Sequence, residues 1–213
     1  MRLTLFGPTG GTGRQLVDAA LAAGHQVIAY SRHVETLAPR PGLAICAGTL
    51  QDQRRMQEAL AGSDAVLCAL GGRPWRRTEH VCSTAAQSIL PLMQRTGVRR
   101  IVAISTFGAG DSRPQTGWPA RALLFGLLLR SEVADKEAME AQLAASRLDW
   151  TAVRIGVLHD GPASGHWRAA DDGSIVGMGR IARGDVAAFM LDEVQRGAWI
   201  RRRPVLVQQR GAH

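Results

Sequence analysis

The chain has 213 residues, of which 46% are hydrophobic and 21% charged, so we expect one globular domain that folds without disulfides or a structural metal. Its three cysteines are odd in number and widely separated, which excludes a disulfide framework or a metal-ligand cluster and indicates a reducing cytoplasm. The net charge is +8, but the basic residues are scattered, whereas a nucleic-acid-binding protein concentrates them on one face. No apolar stretch reaches the ~20 residues of a bilayer span. We therefore expect no nucleic-acid, membrane or metal partner.

Short apolar runs alternate with helical patterns along the chain. This alternation predicts an α/β fold, namely a single Rossmann domain over residues 1–213, with a doubly wound, mostly parallel sheet and helices on both faces. The predicted strands are Arg2–Phe6, Gln26–Tyr30, Leu43–Ala47, Ala65–Leu70, Arg100–Ser105, Trp150–Ile155 and Pro204–Gln208. The predicted helices are Gly11–Ala23, Gln53–Leu60, Thr78–Thr96, Ser131–Ser146 and Asp185–Arg196.

Two segments interrupt this rhythm, at about residues 108–130 and 157–181. The first contains Pro114 and Pro119, and the second is rich in glycine and aspartate. Both follow strand ends at the carboxyl edge of the predicted sheet, where open α/β sheets bind ligands. We interpret them as substrate-side loops, with plain surface loops as the alternative.

A glycine-rich turn joins the first predicted strand to the first predicted helix. It reads Gly7-Pro8-Thr9-Gly10-Gly11-Thr12-Gly13. Gly7 permits the tight turn, Gly10 lets the backbone approach a diphosphate, and Gly13 allows the helix to pack close to the sheet. The free amides and the positive end of the helix then face the diphosphate. The turn predicts a dinucleotide site that also includes Thr9, Gly11 and Thr12.

The end of the second strand predicts which dinucleotide binds. An NAD site carries an acidic residue there, for the ribose 2′-hydroxyl. This chain has Ser31 and Arg32 instead, and its first acid is Glu35. Arg32 can pair with a 2′-phosphate, with a hydrogen bond from Ser31, so NADP(H) is favoured over NAD(H). A solvated arginine is the alternative role of Arg32.

A second glycine motif follows the fourth predicted strand. The glycines after Leu70, at Gly71 and Gly72, let the chain pass close to the cofactor.

These features resemble the atypical short-chain dehydrogenases/reductases, in particular the compact NAD(P)H-binding group that includes biliverdin reductase B and NmrA-like proteins. The resemblance covers nearly the whole chain. The segments that carry it are the glycine turn, Tyr30-Ser31-Arg32, Gly71-Gly72, Val102–Thr106, Asp135-Lys136-Glu137, Ser146–Arg154 and Ile181–Ala187.

The resemblance implies roles for several further residues. Ser105 and Thr106 occupy the place of the family's active-site hydroxyl, Ser105 also as a cofactor contact, and Lys136 matches a lysine that faces the nicotinamide ribose. Lys136 is the only lysine of the chain, and a helix pair with a glutamate one turn away is its alternative role. Thr49, where many relatives have an aspartate, is a further cofactor-binding candidate.

One departure concerns the chemistry. The tyrosine that typical short-chain dehydrogenases place four residues before the lysine is replaced by Glu132, and the only tyrosine of the chain is Tyr30. Hydride transfer to a flavin, a biliverdin-like tetrapyrrole or a quinone tolerates this loss, because the acceptor stacks on the nicotinamide and protons can come from water.

Four residues are candidates for the acceptor pocket. Phe107, Trp118 and Trp167 could wall it, with the hydrophobic core as their alternative place. His159 could donate a proton near neutral pH, as could His166, with surface positions as the alternative.

We expect an NADPH-dependent reductase that acts on a small molecule as a monomer or weak homodimer. The alternative is a non-catalytic NADP(H) sensor of NmrA-like type, in which the apolar segment Ala122–Leu129 docks a partner. A sugar-nucleotide epimerase is a weaker third interpretation, because the tyrosine is missing.

Overall fold

The computed structural model describes residues 1–71, 80–117 and 130–209. Its strands are β1 (Arg2–Phe6), β2 (Gln26–Ser31), β3 (Leu43–Ala47), β4 (Ala65–Cys68), β5 (Arg100–Thr106), β6 (Asp149–Ile155), β7 (Val157–His159), β8 (Trp167–Ala170), β9 (Arg180–Ala182) and β10 (Val205–Gln208). Eight of them form one sheet in the order β3-β2-β1-β4-β5-β6-β10-β8, and all neighbours are parallel except β10 and β8. Strands β7 and β9 pair separately, in parallel.

Five α-helices and one 3₁₀-helix are described. They are α1 (Gly11–Ala22), α2 (Gln53–Leu60), α3 (Val81–Thr96), the 3₁₀-helix Gly110–Thr116, α4 (Arg130–Ala145) and α5 (Arg183–Arg196). Side chains of α2, α3 and α4 share one hydrophobic cluster with one face of the sheet, and those of α1 and α5 share another with the opposite face. Alternation along β1 divides its residues between the two, with Leu5 in the second cluster and Phe6 in the first.

This arrangement is the doubly wound Rossmann-type α/β fold predicted from the sequence. Strands β2 and β3 are added on one side of β1, and β4, β5 and β6 on the other, so the direction in which strands are added reverses between β1 and β4. Such a reversal leaves a crevice at the carboxyl ends of the two strands. The predicted strands and helices are present with small changes at their ends. Helix α3 begins at Val81 rather than at Thr78, which lies outside the described residues together with the rest of 72–79.

The two predicted substrate-side loops contain more structure than the sequence indicates. The 3₁₀-helix lies in the first segment, and β7, β8 and β9 lie in or next to the second. Each of these short strands is stabilised by a partner that is distant in sequence, as in the pairing of Trp167 with Gln208. Local composition does not reveal such pairing. Residues 118–129, with Trp118 and the apolar segment, lie outside the described residues.

Helix α3 takes its N-terminal cap from another helix. Its own cap position, His80, makes no side-chain cap hydrogen bond. Instead the Asp135 carboxylate of α4 accepts hydrogen bonds from the amides of Cys82 and Ser83, at 2.8 and 2.9 Å, and from the Ser83 hydroxyl at 2.6 Å. These bonds satisfy free amides of the first turn and fasten α3 to α4 beside the sheet edge.

Candidate functional site

The glycine turn closes tightly against the ends of β1 and β4. A Cβ at Gly13 would lie 1.9 Å from the Gly7 carbonyl oxygen, and one at Gly7, where φ is +83°, would lie 2.9 Å from the backbone of Ala69. Gly10 differs, since a Cβ there would meet only the Gly7 oxygen at 3.7 Å. The turn is therefore packed on the protein side and open on the outer side, which is the shape that lets a ligand reach the backbone.

The first turn of α1 faces this opening. Its cap residue, Gly10, makes no side-chain hydrogen bond, and the first turn contains no acidic residue. The first amides of a helix have no intrahelical partner and carry its positive dipole end. Gly11 is exposed there, whereas the Thr12 side chain is buried. These residues fit a diphosphate, which places the cofactor candidates Gly7 to Gly13 together at the crevice.

A buried tyrosine organises the neighbouring end of β2. The Tyr30 hydroxyl donates to the Thr49 carbonyl oxygen at 2.8 Å and lies under Gly48, where a Cβ would be 2.2 Å from it. Burial, assisted by the charge of Asp52, raises the pKa of Tyr30 to about 12, so it stays a neutral donor. Tyr30 thus holds Thr49 close to the end of β2, where Arg32 is exposed.

The ends of β4 and β5 are joined by Lys136. Its side chain is only 3% exposed, and Nζ donates to the carbonyl oxygens of Leu70, at 3.0 Å, and Ile104, at 2.7 Å. Burial opposes the charged form of the amine, but the neighbouring Cys82 and Glu132 favour it, and the net result is a raised pKa. Lys136 therefore stays an ammonium that clamps two strand ends. These two bonds place the amine at the ends of β4 and β5, and a contact with the nicotinamide ribose stays a prediction.

The two adjacent hydroxyls at the end of β5 have different surroundings. Ser105 is buried and donates to Glu140 Oε1 at 2.6 Å. Thr106 is half-buried, and among the described residues its hydroxyl makes a single long bond of 3.5 Å, to the Phe107 carbonyl. Strand alternation sends the two side chains to opposite faces of the sheet. Of the pair, Thr106 is the hydroxyl available to a ligand.

Ser105 belongs to a buried charged network. Glu140 also accepts from Arg154 through two bonds, at 3.0 and 2.7 Å, and lies 3.1 Å from Nε of Arg203. Arg154 in turn pairs with Asp111 of the 3₁₀-helix. The network connects β5, α4, β6 and the first substrate-side loop, and it includes Arg203, two residues before β10. Sequence reasoning missed it, although an arginine within the apolar strand β6 was a usable signal, because a buried charge requires a partner.

The predicted acceptor-side residues that the structure describes lie in different surroundings. Phe107 is 0% exposed and packs with Ile175 and Val205, so it supports the loop instead of walling a cavity. Trp167 lies on the edge strand β8 with its ring against Phe189, at a centroid distance of 6.4 Å.

The histidine and glycine candidates are placed differently. His159 is half-buried at the end of β7, 3.3 Å from the Gln208 side chain. His166 is exposed and bonds the Ser164 carbonyl. Gly71 is exposed, with open space where a Cβ would be, and Gly72 is outside the described residues together with Trp118.

A second missed residue, Arg183, begins α5 and lies against Gly11, with its Nε 2.7 Å from the position of a Gly11 Cβ. The segment Ile181–Ala187 was the available signal, but nothing in it indicates contact with the first glycine turn.

Within residues 1–71, 80–117 and 130–209 no group of three or more histidine, cysteine or acidic side chains is arranged to hold a metal ion. In the same part of the chain no helix combines the length and apolarity needed to cross a membrane.

Comparisons with known proteins agree with this geometry. Over its full length the chain superposes on ChuY, an anaerobillin reductase from Escherichia coli O157:H7, with a TM-score of 0.82 at 24% identity and full coverage of both chains. It also superposes on a short-chain dehydrogenase/reductase from Veillonella parvula in complex with NADP, with a TM-score of 0.84 at 17% identity, over 100% of this chain and 96% of the other. At these identities the similarity establishes the fold.

A curated relative matches in sequence over a shorter stretch. Sterol demethylase protein B of Methylococcus capsulatus is 32% identical over 122 residues, which are 54% of this chain and 37% of the relative. The chain thus spans little more than a third of that protein.

The model of the NAD(P)H-binding family matches residues 7–196, from the first glycine of the turn to the last residue of α5. The matched range contains the glycine turn, Lys136 and Thr106. Because the family model covers most of the sequence, the chain belongs to the NAD(P)H-binding family, on a Rossmann-type oxidoreductase fold.

Proposed function

We propose that the protein is an NADPH-dependent reductase that transfers a hydride to a flavin, a biliverdin-like tetrapyrrole or a quinone-type acceptor. The observation that supports this proposal is the alignment of three features along one edge of the sheet. These are the open glycine turn, the exposed Arg32 and the accessible Thr106 hydroxyl. They lie at the ends of β1, β2 and β5, so an extended dinucleotide can contact all three.

Arg32 supports NADPH as the cofactor. It is exposed at the end of β2, where an NAD site has a carboxylate, and Ser31 and Thr49 lie beside it. A charge-assisted bond to the 2′-phosphate contributes about 1.5–3 kcal/mol, a preference of roughly ten- to hundredfold. Changing Arg32 to Glu should weaken NADPH binding by that factor and leave NADH binding nearly unchanged. Equal losses for both cofactors would remove Arg32 from the phosphate site.

Reduced nicotinamide supplies a hydride when it is bound. The protein's residues position the two reactants, with Thr106 donating a hydrogen bond to the nicotinamide or to the edge of the acceptor. The Lys136 clamp fixes the ends of β4 and β5 beneath them. The proton that completes the reduction comes from water, because Tyr30 is buried far from this end and Ser105 is bonded to Glu140.

The acceptor class follows from the chemistry and from one structural neighbour. A stacked, conjugated acceptor requires no protein acid, which suits a site without the family tyrosine. ChuY, which shares the fold over its full length, is an anaerobillin reductase. This supports a linear tetrapyrrole as the first acceptor to test, followed by flavins and quinones.

The test is NADPH oxidation, followed by the loss of nicotinamide absorbance, with biliverdin, FMN and simple quinones as acceptors and NADH in parallel. The matched variant is Thr106→Val, which keeps the side-chain shape and removes the hydroxyl. Turnover by the wild type that falls in Thr106→Val supports the proposal.

A second candidate function is an NADP(H) sensor without catalytic activity. Two residues that the family uses for catalysis are here engaged internally, Ser105 with Glu140 and Lys136 with two backbone carbonyls. NADPH binding without turnover of any of the three acceptor classes would favour this alternative.

A further inference from the structure

Arg183 lies directly on the first turn of α1, although 172 residues separate it from Gly11. A Cβ built on Gly11 would be 2.7 Å from Arg183 Nε and 2.9 Å from its Cδ, so the arginine occupies the space beside this glycine. The stem of Arg183 therefore packs against the first residue of α1, beside the glycine turn, and brings the guanidinium close to the start of this helix. This position is fixed by tertiary packing and is invisible in the local sequence.

The start of α5 reaches the same place as the start of α1. A Cβ at Gly184 would lie 2.2 Å from the Ala163 amide nitrogen and 2.8 Å from the Gln15 side-chain oxygen, so the two helices approach closely there. Both helices start at the carboxyl edge, where their positive dipole ends reinforce each other. A guanidinium between two positive helix ends is a strong attraction for an anion.

The ion pair that Arg183 makes with Asp160 is weak. Nη1 of Arg183 lies 2.7 Å from Oδ1 of Asp160, whose side chain is 93% exposed, while that of Arg183 is 26% exposed. Exposed ion pairs contribute about 0–1 kcal/mol, because water and salt screen them. A diphosphate offers a higher charge and two oxygens in the geometry that a guanidinium binds best. An anion of this kind in the glycine turn would displace Asp160.

The loop that carries Asp160 can release it without unfolding. Asp185, buried in the first turn of α5, accepts hydrogen bonds from the amides of Ser164 and Gly165, at 2.6 and 3.0 Å, and from the Ser164 hydroxyl. In addition the Gly184 amide donates to the Gly161 carbonyl oxygen at 3.2 Å. These bonds hold residues 161–165 in place, so only the Asp160 side chain needs to turn away.

We propose that Arg183 binds the diphosphate of the dinucleotide, and that Asp160 competes with the cofactor for its guanidinium. The inference rests on the proposed cofactor seat at the glycine turn. Cofactor binding then exchanges one ion pair for a stronger one and frees the Asp160 carboxylate on the loop after β7, next to His159 and the proposed acceptor side.

The experiment is a titration with NADPH, followed by nicotinamide fluorescence, on five proteins besides the control. They are the wild type, Arg183→Met, Arg183→Lys, Asp160→Asn and the double variant of Arg183→Met with Asp160→Asn. The control is Arg99→Met, which removes a more exposed arginine that is paired with Asp149 at the opposite edge of the sheet. Melting temperatures of all variants are measured alongside.

Arg183→Met should weaken NADPH binding by about tenfold to hundredfold, the value of a charge-assisted hydrogen bond. Asp160→Asn should tighten it by up to about fivefold, because the competitor is lost. In the double variant the Asp160 change should have no further effect. Arg183→Lys should restore only part of the affinity, because an ammonium lacks the planar fork.

An Arg183→Met affinity within twofold of Arg99→Met, with NADPH still bound by the wild type, would overturn the role of Arg183 and leave the proposed function intact. Equal tightening by Asp160→Asn with and without Arg183 would overturn the competition. If the wild type binds no NADPH, both the inference and the proposed function are wrong.

Discussion

The two halves of the carboxyl edge of the sheet are held together by different kinds of contact. On the proposed cofactor side, from the glycine turn to the ends of β2 and β4, the tightest contacts are with backbone atoms, at positions where a Cβ would clash. On the proposed acceptor side, charged side chains connect β5, β6, α4 and the 3₁₀-helix through Glu140 and Arg154. The first half is specified locally and the second by contacts between distant segments.

This difference separates binding from stability. A backbone surface presents amides to any ligand of suitable shape, and its main requirement is the absence of side chains. A buried charge network satisfies its own members, and the loss of one leaves the others without partners in a medium of low dielectric constant. Changes on the cofactor side should therefore weaken binding, and changes on the acceptor side should lower the free energy of unfolding.

The largest expected effect is on the acceptor side. Changing Glu140 to Gln removes the charge that Arg154 and the Ser105 hydroxyl share, and it should lower the free energy of unfolding by about 3–5 kcal/mol. Urea denaturation measures this. The control is Glu58→Gln, which breaks an exposed pair with Arg54 and should cost less than about 1 kcal/mol. NADPH affinity of the folded Glu140→Gln protein should stay near that of the wild type, and a large loss of affinity would contradict the division.

The cofactor side should show the opposite result. Changing Gly13 to Val brings a side chain onto the Gly7 carbonyl, so the turn must open and its amides move away from the diphosphate. NADPH affinity should fall on the order of hundredfold, as for the loss of several hydrogen bonds. The matched control is Gly161→Ala, where a Cβ would have ordinary contacts at 3.5 and 3.7 Å. Similar affinities for the two variants would show that the turn does not bind the cofactor.

A smaller effect is expected from the inter-helix cap. Burial alone would raise the pKa of Asp135, but hydrogen bonds from Ser83 and Cys82 outweigh it, so the pKa is lowered. The carboxylate therefore stabilises the fold above its unfolded pKa of about 3.9, and this stability is lost as the pH falls through the lower folded value. Asp135→Asn should cost about 0.5–2 kcal/mol at neutral pH, as for other lost caps.

In Asp135→Asn, the free energy of unfolding should also fall less steeply at low pH than it does in the wild type. The control is Asp18→Asn, which removes an exposed carboxylate paired with Arg40. If the free energy of unfolding of Asp135→Asn fell at low pH as steeply as that of the wild type, protonation of Asp135 would not be coupled to folding.

The smallest effect is expected at Glu132, which stands where relatives have the acidic tyrosine. Burial, partly offset by Lys136, raises the pKa of its carboxyl group, so it has some capacity to donate a proton. If water supplies the proton, Glu132→Gln should reduce turnover by less than about fivefold, whereas loss of a true general acid costs about 10²–10⁴-fold. A loss in the larger range, with unchanged NADPH binding, would make Glu132 the acid.

The cofactor side could be predicted from the sequence because its determinants are adjacent in the chain. The glycine turn combines a strand, a sharp turn and a helix start within thirteen residues, and each glycine has a steric reason. The same is true of the main strands, whose near-continuous apolar runs are typical of a parallel sheet with two covered faces. The doubly wound topology followed from connection rules that apply to any such sheet.

The acceptor side could not be predicted, because each contact there joins residues far apart in sequence. Nothing in the sequence around Lys136 indicates that its amine meets two strand ends. Ser105 and Thr106 are neighbours with equal chemistry, and only the sheet distinguishes the buried hydroxyl from the available one. Phe107 has the composition of a pocket wall, yet its place under Ile175 follows from how the second loop folds back.

Because Lys136 is buried, proteolytic cleavage after this residue can be used to measure local opening of the fold. An endoprotease that cleaves only after lysine has a single possible cut in this sequence, into residues 1–136 and 137–213. In the folded state that bond lies in α4, and its side chain is held by carbonyls of two strands. Cleavage requires the clamp to open, so under conditions where reclosing is fast its rate measures the population of the opened form. The intensity of the uncleaved band on an electrophoresis gel, followed over time, would then report how often the contacts of Lys136 with the two strand ends open.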